Sequence, residues 1–91
     1  MNYGSRQVKK FKLAGATWTI RYSPDIHDLG HTDPDTSSIF VNSKQDEQSQ
    51  ALTLSHEIVH AILFTMGERD HDERFVEGFA QLLYQYEQQA V

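Results

Sequence analysis

The sequence predicts an α+β fold in which a small three-stranded sheet is followed by two antiparallel helices. The first half contains three short runs rich in β-branched and aromatic residues, separated by Gly, Pro and Asp. The second half contains two longer stretches in which apolar residues recur every three or four positions, as on one face of a helix. A chain of 91 residues can bury one core and no second. We therefore expect a single domain over residues 8–91, preceded by a flexible N-terminus at residues 1–7.

The first two strands are predicted to form a hairpin. Apolar and polar residues alternate with one slip from Val8 to Ala14, and more regularly from Thr17 to Tyr22. Between these runs, Gly15 supplies the conformational freedom that a tight turn requires. Trp18 is expected to be a core anchor, since a single aromatic residue on the apolar side of a strand usually packs. The solvent face or a protected edge of the first strand is expected to carry three lysines, Lys9, Lys10 and Lys12.

Residues 23–36 are predicted to form a loop, because they are rich in Pro, Asp, Gly and His. The loop contains His27 and His31. We interpret both as surface residues, with a role as extra metal ligands or polar site contacts as the alternative. The β-branched and aromatic run at residues 38–42 then predicts a third strand, which leads directly into the first helix.

The first helix is predicted over residues 44–66. Ser43 is a suitable N-cap, and Gly67 can adopt the left-handed conformation that commonly ends a helix. A short polar connection follows, and the second helix should begin at Asp70 or Asp72. Because the connection is short, the two helices should lie antiparallel and adjacent to each other.

The central feature of the sequence is the string His56-Glu57-Ile58-Val59-His60 within the first predicted helix. Residues four apart lie on one face of a helix, so His56 and His60 can bind one zinc ion through their Nε2 atoms. Glu57 is suited to act as general base on the water that fills the open coordination position. A pair of buried structural histidines is the alternative. The apolar stripe that continues past both histidines favours the zinc site.

A catalytic zinc ion normally has three protein ligands, and the motif supplies two. The helical rise places Glu77 of the second helix nearly level with His60. Burying a glutamate between Phe75 and Phe79 would be unfavourable unless it were paired or metal-bound, and Gly78 would permit close approach of the two helices. We therefore predict Glu77 as the third ligand. The alternatives are Glu73 and, less favoured, Asp72 and His71.

Composition restricts the other possibilities. The sequence has no Cys, so any metal must be held by His and carboxylates. The net charge of −5 disfavours non-specific binding to nucleic acid. No run of residues is long and apolar enough for a membrane span, and no basic start followed by an apolar run indicates a signal peptide. We therefore expect a cytoplasmic protein that binds neither nucleic acid nor membranes.

Two strings together carry a family resemblance. His56-Glu57-Ile58-Val59-His60, followed by Val76-Glu77-Gly78-Phe79-Ala80, resembles the gluzincin pattern, in which a Glu on the helix after the His helix is the third zinc ligand. The small size and the order of strands before helices are most similar to the short phage and prophage metallopeptidases of the ImmA/IrrE type. The resemblance covers roughly residues 15–85. It implies a minimal zincin-like fold, with His56, His60 and Glu77 as zinc ligands and Glu57 as the general base.

The predicted function is zinc-dependent hydrolysis of peptide bonds in a cytoplasmic protein or peptide, as by an endopeptidase, in the host cytoplasm if the protein is phage-encoded. The strand at residues 38–42 is expected to border the cleft and to bind an extended peptide along its free edge. The alternatives are a zinc-binding, non-catalytic protein-interaction module with a peptidase-like fold, and a structural domain without metal. Four residues are candidates for stabilising the oxyanion: Tyr84, His71, His31 and Tyr22.

Overall fold

The computed structural model describes residues 8–89 and has four strands and two helices. In chain order these are β1 (Val8–Leu13), β2 (Ala16–Ser23), β3 (Gly30–Asp33), β4 (Ser38–Asn42), α1 (Glu47–Thr65) and α2 (Glu73–Gln89). The α+β class is therefore confirmed, with one strand more than predicted. The predicted flexible segment at residues 1–7 lies outside the described residues, as do residues 90–91.

The β1–β2 hairpin forms as the alternation predicts. Leu13 lies opposite Ala16, so the turn contains two residues, Ala14 and Gly15. Both have positive φ, 50° and 84°, as a type I′ turn requires, and this turn matches the twist of the strands that it joins. β1 forms one edge of the sheet, and its three lysines are exposed along it. Trp18 is only 4% exposed, which confirms its role as a core anchor.

The prediction that residues 23–36 form only a loop is wrong, because they include β3. This strand reads Gly-His-Thr-Asp and has no apolar alternation. Main-chain pairing to β4 holds it instead, antiparallel, with His31 opposite Phe40 and Thr32 opposite Ile39. A strand held by its neighbour's backbone gives little signal in its own side chains.

The order of the sheet is β1-β2-β4-β3. β4 pairs with β2 in parallel on one side and with β3 on the other. The expectation that residues 38–42 offer a free edge to a peptide is therefore wrong. Within residues 8–89, β3 forms the edge of the sheet on this side.

The core has two parts, which lie on opposite sides of α1. Residues of β2, β4 and α1 form the first cluster, Trp18, Ile20, Ile39, Val41 and Ala61. Residues of α1 and α2 form the second cluster, Val59, Val76 and Ala80, with Leu63 packed against it. The helix that carries the two motif histidines is therefore held between the sheet and α2.

The helix boundaries differ from the prediction at one end. Asp46, not Ser43, is the N-cap of α1, because its carboxylate accepts the backbone N–H of Ser49 at 2.7 Å. That hydrogen bond lowers the pKa of Asp46. Gly67 follows α1 with a φ of 89°, which confirms it as the terminator. The predicted Asp72 lies immediately before α2 and accepts the N–H of Arg74 at 2.9 Å, so it caps this helix.

The outer face of α2 is unusually apolar. Val76 and Ala80 face the core. Four large apolar side chains are exposed, Phe75, Phe79, Leu82 and Tyr86. Gly78 is also exposed, and a Cβ built on it would meet no atom within 4 Å, so the expectation that it brings α2 against α1 is wrong. Neither described helix is long and apolar enough to cross a membrane.

Candidate metal centre

The two motif histidines lie one turn apart on the face of α1 that meets the start of α2. Their ring centroids are 5.0 Å apart, as the spacing of four residues predicts. Both side chains are largely buried, with 23% of His56 and 13% of His60 exposed. Their Nε2 atoms are directed to the same space, where a residue of α2 completes the group.

That residue is Glu73, the first residue of α2. Its Oε1 lies 3.2 Å from Nε2 of His56, and its Oε2 lies 3.3 Å from Nε2 of His60. One ligand atom from each of the three residues lies within 4.8 Å of the others. Two imidazole nitrogens and one carboxylate are a typical donor set for catalytic zinc, whose bonds to such atoms are about 2 Å long. The residues therefore fit a zinc ion.

Glu77 lies one turn further along α2 and contacts the other ring nitrogen of His56. Its Oε1 is 3.0 Å from His56 Nδ1, and its Oε2 accepts a hydrogen bond from Gln81 at 2.6 Å. The side chain of Glu77 is 57% exposed, so the burial argument that favoured it as a ligand does not hold. Glu77 as third ligand stays a prediction, and the geometry favours the alternative, Glu73.

The path of the connection explains this difference. Glu77 would be level with His60 if the chain turned directly at the end of α1. Instead, residues 66–72 fold back along its last turn, where the ring of His71 lies 4.3 Å from the ring of Phe64 and 4.9 Å from that of His60. The first residue of α2 is therefore already level with the histidines. Asp72, the other alternative ligand, caps the helix instead.

Glu57 lines a cavity next to the three candidate metal ligands. This cavity has a volume of about 470 Å³, and His56, Glu57, His60 and Glu73 all line it. Glu57 is 7% exposed, and its Oε1 accepts the hydroxyl hydrogen of Thr32 on β3 at 2.7 Å. Thr32 was missed by sequence reasoning because its strand was missed. One carboxylate oxygen of Glu57 is thus fixed by the sheet, while the carboxylate borders the space beside the candidate metal ligands.

β3 can approach α1 closely because residue 30 has no side chain. A Cβ built on Gly30 would lie 2.5 Å from Cγ2 of Thr53, 2.7 Å from the carbonyl oxygen of Phe40 and 3.6 Å from Cγ of Glu57. Contacts below 3.0 Å require the backbone or a neighbour to move. Gly30 therefore sets the spacing between β3 and α1, on which the Thr32–Glu57 hydrogen bond depends.

Replacing Gly30 with Ala should destabilise the fold by about 1–3 kcal/mol, the usual effect of overpacking. The extra methyl group would push β3 away from α1, so the hydrogen bond from Thr32 to Glu57 should also weaken. Urea unfolding measures the stability change. Gly78→Ala is the matched control, because its Cβ meets nothing and Ala in a helix interior is favoured over Gly by up to about 1 kcal/mol. A Gly30→Ala variant as stable as wild type would contradict this packing argument.

The protonation of His60 suits metal binding. Burial lowers its pKa from the ordinary value, and the negative charges of Glu57 and Glu73 oppose that effect only in part. The neutral imidazole is the form that binds a metal ion. The site therefore favours a ligand-competent His60 near neutral pH.

The remaining sequence candidates lie in different places. His31 lines the cavity, with its ring stacked on Phe40 and its Nδ1 3.2 Å from a carboxylate oxygen of Asp28. His27 is exposed on the turn before β3. Tyr22 packs against the first core cluster, and burial raises its pKa.

Tyr84 lines a separate groove beside Gly78. His71 lines the cavity, but both of its ring nitrogens already contact the protein. Of the four oxyanion candidates, His31 is therefore the one that lines the cavity and keeps a ring nitrogen unengaged by residues 8–89.

Comparison with known proteins identifies one similarity. A family model described as Peptidase M78, IrrE N-terminal-like domain, matches residues 8–90. Neither the proteins of curated function nor the solved structures gave a match. The matched range contains all six elements of the fold and every residue of the candidate metal centre.

Proposed function

Because this chain belongs to the Peptidase M78 family of IrrE N-terminal-like domains, we propose that it is a zinc-dependent peptidase that hydrolyses peptide bonds of a protein or peptide. One observation carries the proposal. The ligand atoms of His56, His60 and Glu73 converge, and the nearly buried carboxylate of Glu57 borders the same cavity. Three ligands of this kind, with a carboxylate base beside them, form the usual arrangement of a zinc peptidase.

The roles of the residues follow from their positions. His56, His60 and Glu73 would hold the zinc ion, which when bound polarises a carbonyl and lowers the pKa of a water molecule to about 7. Glu57 takes a proton from the attacking water and delivers it to the leaving amine. Thr32 holds one oxygen of Glu57, which leaves the second oxygen as the group that moves the proton. The hydrogen bond thus fixes the direction from which the base acts.

An extended peptide substrate fits the edge that β3 leaves unpaired within residues 8–89. In an antiparallel pair, alternate residues direct their N–H and C=O groups away from the partner strand. β3 therefore has backbone N–H and C=O groups that can form hydrogen bonds on the side away from β4. Its residues Gly30, His31 and Thr32 line the cavity that Glu57 also lines. Main-chain pairing there would lay a peptide past the catalytic group with little dependence on its sequence.

Peptide binding at this edge can be observed by NMR with the Glu57→Gln variant, which should bind a substrate peptide without cutting it. The backbone amides of β3 are expected to shift on addition of the peptide. β1 supplies the internal control, because it is the opposite edge of the same sheet. Shifts that concentrate on β1, or that lie away from the sheet, would contradict this binding mode.

The proposed activity is tested with a mixed peptide library analysed by mass spectrometry. The zinc-loaded protein should cleave library peptides, and protein stripped by a chelator should not until zinc is restored. Cleavage that is unaffected by chelation would contradict a zinc mechanism. Bound zinc without any cleavage would favour the second candidate, a zinc-binding interaction module.

That second candidate is favoured by one observation, the exposed apolar side chains of α2. Phe75 and Phe79 stack on each other with centroids 5.6 Å apart, although about half of each remains exposed. Exposed apolar patches commonly mark protein interaction sites. In either case we propose a protein or peptide partner, because the net charge of −5 disfavours nucleic acid. The proposed location is the cytoplasm, which the absence of Cys fits.

A further inference from the structure

His71 lies on the connection between the helices and contacts the candidate metal ligand His60 on its Nδ1 side. Its ring stacks on that of His60, with centroids 4.9 Å apart and an angle of 18° between the planes. On the other side it meets the ring of Phe64. Its Nδ1 lies 2.6 Å from Nδ1 of His60, and its Nε2 lies 2.7 Å from the carbonyl oxygen of Glu68. Each ring nitrogen of His71 therefore has one defined partner.

The directions of these two hydrogen bonds follow from the backbone carbonyl. A carbonyl oxygen can only accept, so Nε2 of His71 carries the hydrogen and donates it to Glu68. In a neutral imidazole the other nitrogen is then an acceptor. Nδ1 of His71 must accept from Nδ1–H of His60, because a contact of 2.6 Å between two nitrogens needs one hydrogen between them. His60 is thereby left with its lone pair on Nε2.

The lone pair on His60 Nε2 is directed at an atom that cannot donate. This nitrogen lies 3.3 Å from Oε2 of Glu73, which is a carboxylate oxygen. His56 has a carboxylate oxygen at each ring nitrogen, with Oε1 of Glu77 3.0 Å from Nδ1 and Oε1 of Glu73 3.2 Å from Nε2. The two Nε2 atoms and the two carboxylate oxygens of Glu73 are four potential donor atoms close together, and a cation between them would stabilise the group. At His60, the outer hydrogen bond to His71 thus leaves the Nε2 lone pair available to a metal ion.

We propose that His71 is a positioning residue that holds His60 in the Nδ1–H tautomer, with Nε2 directed to the metal position. The inference rests on the proposed function, since it assigns a role at the same metal centre. The carbonyl of Glu68 sets the direction of both hydrogen bonds of His71, and stacking against His60 and Phe64 holds the His71 ring in place. A group that orients a metal-ligating histidine in this way commonly contributes a factor of about 10–100 to metal affinity.

Two variants separate the hydrogen bond from the packing. His71→Phe keeps an aromatic ring for the stack but has no nitrogen to accept the hydrogen of His60. His71→Asn loses the ring, but its side-chain oxygen branches at the same position as Nδ1 and can accept that hydrogen. Zinc dissociation constants are measured by competition with a chromophoric chelator. The constant should be about 10–100-fold higher than that of wild type in His71→Phe, and close to that of wild type in His71→Asn. His27→Phe, at an exposed histidine outside the cavity, is the control and should bind zinc as wild type does.

Two results of the affinity measurements would overturn the proposal. A His71→Phe variant within about twofold of wild type would remove the role of the hydrogen bond. Equal losses in His71→Phe and His71→Asn would have the same result, because they would show that restoring a hydrogen-bond acceptor at this position does not restore zinc affinity.

The tautomer itself can be measured without any metal. Ring ¹⁵N chemical shifts of wild-type His60 in the metal-free protein, at a pH about two units above the usual histidine pKa of about 6.5, should show the hydrogen on Nδ1. A hydrogen on Nε2 would overturn the proposal whatever the variants do, and this measurement decides the matter even if a variant fails to fold. A wild type that shows the Nδ1–H form but binds no zinc would refute the proposed function alone.

Discussion

Replacing Glu57 with Gln should abolish peptide hydrolysis while leaving the zinc ion bound. Glu57 borders the cavity but is not among the three residues whose ligand atoms converge. Gln keeps the size of the side chain, and its amide oxygen can still accept the hydroxyl hydrogen of Thr32. It cannot take a proton from water. Loss of a general base usually lowers the rate by about a hundred- to ten-thousand-fold.

The experiment combines zinc content, melting temperature and cleavage of a peptide for wild type and Glu57→Gln. Zinc content and melting temperature should be unchanged between the two proteins. His56→Ala is the contrasting variant and should lose zinc as well as activity. It should also lose the stabilisation that a ligand provides by binding the folded state, about 4 kcal/mol at a thousand times its dissociation constant. A Glu57→Gln variant as active as wild type would exclude Glu57 as the base.

The parts of the site that the sequence predicts are those determined by local geometry. His56, Glu57 and His60 lie on one helix, so their relative directions depend only on helical periodicity. The hairpin with Gly15 and the end of α1 at Gly67 are local in the same sense, since each depends on positive φ at a single turn.

The parts that the sequence does not predict depend on contacts between distant segments. β3 has no strand pattern of its own and exists because β4 pairs with it. The hydrogen bond from Thr32 to Glu57 joins residues 25 positions apart. Gly30 could be interpreted only as a loop residue until Thr53 and Phe40 were placed against it.

The apolar pattern of α2 predicts a helix correctly but not which side faces the core. Apolar residues cover about half of its circumference, which is wider than the buried stripe, and the structure buries Val76 and Ala80 while leaving Phe75 and Phe79 exposed. Glu77, next to Val76, is therefore more exposed than a position between two phenylalanines suggests. Which of the two glutamates, Glu73 or Glu77, faces both histidines depends on the path of residues 66–72. The apolar periodicity of the helices does not encode that path.

The second large expected effect is a difference in zinc affinity between variants of Glu73 and variants of Glu77. Glu73 faces the Nε2 atoms of both His56 and His60, whereas Glu77 lies 3.0 Å from Nδ1 of His56, the nitrogen that carries the hydrogen when Nε2 binds a metal ion. Glu73→Ala removes the proposed third ligand and should weaken zinc binding by more than about 100-fold. Glu77→Ala removes only the group that orients His56 and should weaken it by about 10–100-fold.

The corresponding Gln variants separate the two roles more sharply than Ala does. An amide oxygen can still accept the Nδ1–H of His56, so Glu77→Gln should bind zinc almost as tightly as wild type. Glu73→Gln replaces the proposed charged ligand with a neutral side chain and should bind zinc poorly, since a carboxylate is the ligand that zinc prefers at such a position. Glu87→Gln, on the exposed far end of α2, controls for the loss of one negative charge. The opposite order, with a severe loss in Glu77→Gln and a mild one in Glu73→Gln, would make Glu77 the third ligand, and would mean that α2 moves by about one turn, or about 5 Å, relative to α1 when zinc binds.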